Sequence, residues 1–252
     1  MPLGEEIIHI DRLLISSLPH FRPPYKGSRH ERTQHPGAGR PGSVRTAFVS
    51  GGRLAGWAER FGASHGGFRI SDDDDGVRLL AADGTTALLQ APWPPDGRPG
   101  RGADPLERLA SVAAQPRTAG LVLVRRGGYA VGVAREGIVL ASKAGSRYVQ
   151  SRTAAGGQSQ QRFARRRANQ ADELVEKVAA HAAAVFGGQS IEYLAPGGDR
   201  ALAGLVMDQP AMKLYASVPR LDFLDVPDPT GSVLRKAAAD VCAVRIQVAD
   251  AP

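Results

Sequence analysis

Cysteine is almost absent from this 252-residue chain, with Cys242 the single example. One thiol excludes an intramolecular disulfide framework and any zinc site built on cysteine pairs. Lysine is scarce too, five residues against 27 arginines. No apolar run is long enough to span a bilayer, and the first thirty residues lack the apolar stretch of a secretory signal. These absences predict a soluble, cytoplasmic protein with no membrane partner. What the chain does contain is enough for a buried core, since 42% of its residues are hydrophobic. At roughly 150 residues per domain, its length allows one large domain or two small ones.

The formal net charge is +7, but it is unevenly spread. Residues 1–46 carry +3, residues 47–118 carry −1 and residues 170–252 carry −4. Residues 119–169 alone carry +9, from Arg125, Arg126, Arg135, Lys143, Arg147, Arg152, Arg162, Arg165, Arg166 and Arg167 against Glu136. A compositional bias toward arginine would be uniform; a concentration of this kind is what a polyanion-binding surface requires.

Three regions follow from pattern. Residues 1–46, rich in Gly, Pro, Arg and His after a short apolar patch at Ile7–Ile15, read as a mobile extension, because such a stretch cannot bury enough apolar area to offset its ordering entropy. Residues 47–118 read as a small helix and hairpin portion with a linker. Ser50 caps a helix carrying Leu54, Trp57, Ala58 and Phe61, and strands Val77–Ala81 and Thr85–Gln90 turn at Asp83-Gly84. The acidic run Asp72–Asp75 reads as a solvated loop, and Pro92–Pro105 as a linker before a short helix, Leu106–Ala114.

Residues 119–252 open with a β-meander: Leu121–Val124, Tyr129–Ala134 and Ile138–Ala141, with Tyr148–Gln150 as its extension. A long helix spans Gln160–Phe186, its apolar residues recurring at alternating spacings of four and three, and Gly187-Gly188 ends it. Strand Ala203–Val206, helix Pro210–Ala216, strand Leu221–Val226, helix Gly231–Asp240 and strand Val241–Val248 complete the expectation. The fold class predicted is α/β, a mixed sheet in an RNase H-like arrangement.

Chemistry concentrates in Gly156-Gly157-Gln158-Ser159-Gln160-Gln161-Arg162-Phe163-Ala164-Arg165-Arg166-Arg167. Gly-Gly-Gln alone is weak, because a chain of this composition supplies roughly 0.16 copies by chance. A second copy, Gly187-Gly188-Gln189, follows a helix, has no basic run after it and reads as a helix stop. The first copy precedes a helix. Its two glycines free the backbone to approach a ligand, and the helix start aims unpaired N–H groups and positive dipole at the loop. Arg162, Arg165, Arg166 and Arg167 crowd turns where cations are unfavourable for the helix itself, a cost that a bound polyanion would offset. The structural alternative is a solvated arginine-rich helix face.

This motif resembles the central, peptidyl-tRNA-hydrolysing domain of eukaryotic and archaeal class I translation release factors. It is most similar to the VLRF branch, the Vms-type release-factor-like hydrolases, in their stand-alone actinobacterial form. The likeness covers about residues 119–250, and it does not extend to a codon-reading domain, a domain for a translational GTPase, or the zinc finger and ankyrin repeats of the eukaryotic branch. The resemblance implies a peptidyl-tRNA hydrolase that releases nascent chains from stalled large ribosomal subunits without reading a codon. It implies rRNA and peptidyl-tRNA as partners, no DNA, no cofactor and no metal. By the same resemblance Gln158, with Gly157 and Gly156, carries catalysis: its backbone N–H stabilises charge in the transition state, and its side chain admits water alone. Arg152, Arg162, Arg165, Arg166 and Arg167 would hold RNA, while Ser159 reads as a helix cap in preference to a nucleophile. Two other classes remain open on the sequence. One is a non-catalytic ribosome- or RNA-binding module. The other is a metal-dependent nuclease, for which residues 119–169 offer only one acid.

Overall fold

A computed structural model describes residues 44–146 and 158–251; of Asp73 and residues 158–169 it describes the backbone alone. The chain forms two sheets. The first is antiparallel and has five strands, in the order β1-β9-β4-β3-β2: β1 (Val44–Val49), β2 (Phe68–Asp73), β3 (Gly76–Ala81), β4 (Thr86–Gln90) and β9 (Val244–Ala249). Helices α1 (Gly51–His65) and α2 (Pro105–Ala113) cover one face of it. The core there joins Leu54, Phe61, Leu109 and Ala113 of the helices to Val77, Leu79, Leu89, Val244 and Ile246 of the strands.

The β3–β4 hairpin forms as its alternation requires. Asp83 accepts the Thr85 backbone N–H at 2.9 Å, and Gly84 supplies a φ of +86°. Helix α1 buries Leu54, Ala58 and Phe61 as spaced, but Ser50 does not cap it with its side chain; the Ser50 carbonyl accepts the Arg53 N–H instead. Asp104 caps α2 from the Glu107 N–H, while Glu107 reaches back to the Ala103 N–H.

Three expectations need correction in this sheet. Order does not begin at Ala47, because Val44, Arg45 and Thr46 are already in β1. The acidic run is not all loop: Asp72 and Asp73 end the edge strand β2, and Asp72 faces α2, where Arg108 meets it at 3.2 Å. Finally, the last strand does not join the sheet of residues 119–198. It is inserted between β1 and β4, so Val244 and Ile246 pack on the Leu54–Leu79 side.

The second sheet is mixed, with order β7-β6-β5-β8: β5 (Thr118–Arg125), β6 (Gly128–Arg135), β7 (Ile138–Ser146) and β8 (Tyr193–Gly198). β5, β6 and β7 form the expected meander, and β8 runs parallel to β5. The two central strands are buried on both faces. On one face lie α3 (Gln158–Phe186) and α4 (Arg200–Met207); on the other lies α5 (Gly231–Val241), with Leu234, Ala237 and Ala238 against Leu121, Leu123 and Ala130. Ala203–Val206, expected as a strand, belongs to α4, which Asp199 caps from the Ala201 and Leu202 N–H groups. The strand at that position is β8, whose Tyr-Leu-Ala-Pro-Gly-Gly sequence reads locally as a turn. Pro210–Tyr215 is a 3-10 helix. Leu221–Val226 is not a strand: its backbone meets β8 through Leu221 N–H to Leu194 O (2.8 Å) and Leu224 N–H to Pro196 O (2.9 Å), but only as isolated bridges. The expected extension at Tyr148–Gln150 lies outside the described residues.

Candidate functional site

The region of interest is the end of the second sheet where β5 stops, β6 starts and β7 stops, since Gly128 pairs with both Arg125 and Ser146. The chain leaves β7 at Ser146 and re-enters the described structure at Gln158, the first residue of α3. Gly156, Gly157 and Arg152 lie outside the described residues. Arg162, Arg165, Arg166 and Arg167 stand on the first turns of α3, where the backbone alone is described. No acidic residue occupies the first turn of this helix.

Two contacts fix the direction of α3. At its carboxy-terminal end Phe186 is wholly buried, its ring seated where Gly120 of β5 has no side chain: a Cβ there would fall 2.7 Å from the ring. Tyr215 meets the same ring edge-on at 5.2 Å. Nearer the middle of the helix, His181 stacks on Tyr129 of β6 at 5.5 Å and 22°. The Tyr129 ring in turn lies across Gly145 of β7, where an added Cβ would come within 2.7–2.9 Å of Cε1, Oη and Cζ. Tyr129, Ser146, Glu173, Leu174 and Lys177 line a cavity of about 280 Å³. The end of β7 is therefore level with Leu174 to Lys177.

The helix runs from that level back toward the start of β5, so its earlier residues lie beyond the sheet. Leu174 is the first buried side chain among the described ones. At a rise of ~1.5 Å per residue, the helix from Gln158 to Leu174 is about 24 Å long. By contrast, Gly187-Gly188-Gln189 closes the other end. The Gly187 N–H bonds to Ala183 O and the Gln189 N–H to Phe186 O, with φ +75° at Gly188, a helix stop as its context predicts.

Basic side chains gather at the same end of the sheet. Arg125 ends β5, exposed Arg126 lies in the β5–β6 turn, and Lys143 precedes Gly145 on β7. Arg125 donates from Nε to Val226 O at 2.7 Å and approaches Asp225 at 3.4 Å. These residues were visible in the sequence as part of the local charge excess, and the fold places them beside the point where the chain departs. Among the described residues there is no group of three or more His, Cys, Asp or Glu placed to hold a metal ion. Cys242 is buried, and burial pushes its thiol up.

Sequence reasoning missed a second polar cluster, at the opposite end of β5. Arg117 is 1% exposed, donates to Tyr193 Oη at 2.7 Å, and bonds to Asp96 and Gln115. Its guanidinium lies 5.8 Å from both the Trp93 and Tyr193 rings, which stack on each other. Hydrogen bonds from Arg98, then Tyr193 and Arg117, hold the Asp96 carboxyl well below its usual range, and burial raises the Tyr193 hydroxyl. This cluster ties the Pro92–Pro105 stretch to the start of the second sheet; its partners are far apart in sequence, and only the arginine itself could have signalled it.

Residues 117–247 match the family model described as the Actinobacteria/chloroflexi VLRF1 release factor, and the chain belongs to that family. No curated protein matches the chain. Membership implies a role in translation termination or ribosome rescue, and interaction with the ribosome. No helix among the described residues is long and apolar enough to cross a membrane.

Proposed function

We propose that this protein is a cytoplasmic peptidyl-tRNA hydrolase that releases nascent chains from stalled large-subunit complexes without decoding a codon. The observation that carries the reading is the placement of Gln158 at the start of a helix whose leading part, about 24 Å by its rise per residue, lies beyond the sheet. A group so placed can enter a narrow RNA cavity while the body of the protein remains outside. An RNase H-like arrangement of residues 119–252 fits the order β7-β6-β5-β8: a three-strand meander flanked by a parallel fourth strand, with residues 220–224 bridged along β8 in the place of a fifth. Residues 44–118 together with β9 form the second unit.

The reaction is hydrolysis of an ester. Water attacks the carbonyl carbon that joins the peptide to the ribose of the tRNA terminus; the carbonyl–ribose bond breaks, and the proton lost by water is matched by one gained by the ribose oxygen. The Gln158 backbone N–H stabilises negative charge developing on oxygen, its side-chain amide excludes nucleophiles larger than water, and Gly156 and Gly157 permit the backbone path. Proton movement falls to RNA groups of the ribosomal site, because the reading assigns no side-chain base. Arg152, Arg162, Arg165, Arg166 and Arg167 hold rRNA or the tRNA acceptor end, with Arg125, Arg126 and Lys143 behind them.

The test is a purified-component release assay with isolated large subunits carrying labelled peptidyl-tRNA. The reading predicts binding followed by liberation of free peptide. Binding with no peptide liberated would make the protein a positioning module and refute the hydrolase.

A further inference from the structure

Among the described side chains of α3, the buried ones run from Leu174 to Phe186, yet the chemistry proposed above is assigned to the opposite end of the helix. Such a helix is a lever. The gripped stretch, Leu174 to Phe186, has Phe186 in the Gly120 slot at one end and the Tyr129 ring under His181 and beside Leu174 toward the other. Tyr129 is almost wholly buried, with His181 stacked on its ring and the Gly145 backbone close against it. With ~1.5 Å of rise per residue, Phe186 is about 7.5 Å from His181, about 18 Å from Leu174 and about 42 Å from Gln158. A sideways displacement of ~1 Å imposed by Tyr129 between Leu174 and His181 therefore becomes about 2–6 Å at Gln158. Reacting groups misplaced by ~1 Å lose on the order of 10²-fold in rate.

We infer that Tyr129 and Gly145 are positioning residues that aim α3, and that the absence of a side chain at Gly145 is what sets the angle. Gly145 is on an edge strand, where a larger residue would add packing and β-propensity; it is excluded by the 2.7–2.9 Å approach of the Tyr129 ring. Gly128, next to Tyr129 on β6 and paired with Ser146, is held to the same rule, since a Cβ there would meet Gly145 O at 2.8 Å. The pair touches neither substrate nor the Gly-Gly-Gln segment and acts through the helix alone.

The kinetic part of the test rests on the hydrolase reading, so a structural readout accompanies it. Spin labels at Gln161→Cys and Leu214→Cys, in a Cys242→Ala background, report the distance between the leading part of α3 and the body. Gly145→Ala should shift or broaden that distance by about 2 Å or more, with far-ultraviolet circular dichroism unchanged. In the release assay it should lower kcat about tenfold or more while subunit affinity stays within about twofold. Tyr129→Ala should behave alike. An unchanged label distance in Gly145→Ala would overturn the inference. So would an equal loss in kcat and affinity, which a merely destabilised fold produces. If wild type releases no peptide, the hydrolase reading fails, and the label distance alone still decides whether Tyr129 and Gly145 aim the helix.

Discussion

The seat of Phe186 against Gly120 can be tested by a double-mutant cycle whose outcome follows from the geometry. A methyl group at Gly120 would stand 2.7, 3.0 and 3.1 Å from three ring atoms of Phe186, all inside van der Waals contact. The ring is wholly buried and has Tyr215 across its other side, so it cannot swing away. Gly120→Ala should therefore destabilise by about 1–3 kcal/mol, the usual cost of overpacking. Phe186→Ala leaves a cavity and should cost about 3–5 kcal/mol. In the double variant the new methyl group meets no ring, so the Gly120→Ala penalty disappears and the total stays near that of Phe186→Ala alone. The interaction energy is then about 1–3 kcal/mol in magnitude, well above the ~0.3–0.5 kcal/mol scatter of independent sites. Urea midpoints with m-values measure it, and Phe186→Leu replaces the alanine variant if the latter fails to fold. Additive penalties would refute the argument, since they would mean that Gly120 and Phe186 do not compete for one space.

Three further outcomes follow from the same account. Replacing Arg165 and Arg166 with alanine should weaken subunit binding and flatten its salt dependence, because fewer phosphates are then neutralised and fewer counterions released; an unchanged salt slope in a binding titration would detach this helix face from RNA. Asp83 accepts from the His65 ring at 2.7 Å and from the Thr85 N–H, which lowers its carboxyl from 3.8 to about 2. A depressed folded-state value stabilises above the unfolded one and is lost as pH falls, so the stability gap between wild type and Asp83→Asn should shrink from about pH 4 toward about pH 2; a gap that ignores pH in thermal denaturation would contradict it. Gln158 is the first helical position, where proline is tolerated because its missing N–H has no helical partner. Gln158→Pro should thus keep the helix yet lose on the order of 10²–10³ in release rate, more than Gln158→Ala, if the main-chain donor acts as proposed; equal losses in single-turnover release would assign the effect to the side chain.

Much of the fold could be read because its signals are local. The alternating four-and-three spacing fixed the helical face of α3 that buries Val175, Val178 and Ala182, and the apolar runs on either side of Gly127-Gly128 read as the first two strands of the meander, β5 and β6. The failures share a cause. Ala203–Val206 is short and apolar, and periodicity over so few residues does not separate a strand from a helix; Asp199, the cap, was the clue that favoured α4. β8 contains Pro196 and ends in two glycines, which local rules assign to a turn, and only pairing with β5 makes it a strand. The position of β9 beside β1 depends on pairing between residues some two hundred positions apart, which no window can contain. The candidate site divides in the same way. The Gly-Gly-Gln motif and its arginines are consecutive and were legible, whereas the Tyr129–Gly145–His181 packing and the buried Arg117 cluster exist only once the sheet is assembled.

The central claim is that the Gly-Gly-Gln segment before α3, and not the one that closes it, severs the nascent chain. Its most direct test is the single-turnover rate of peptide release from large subunits loaded with labelled peptidyl-tRNA, for Gln158→Ala beside Gln189→Ala and wild type. The account predicts a loss of about tenfold or more for Gln158→Ala and a wild-type rate for Gln189→Ala; equal rates for the two variants would contradict it.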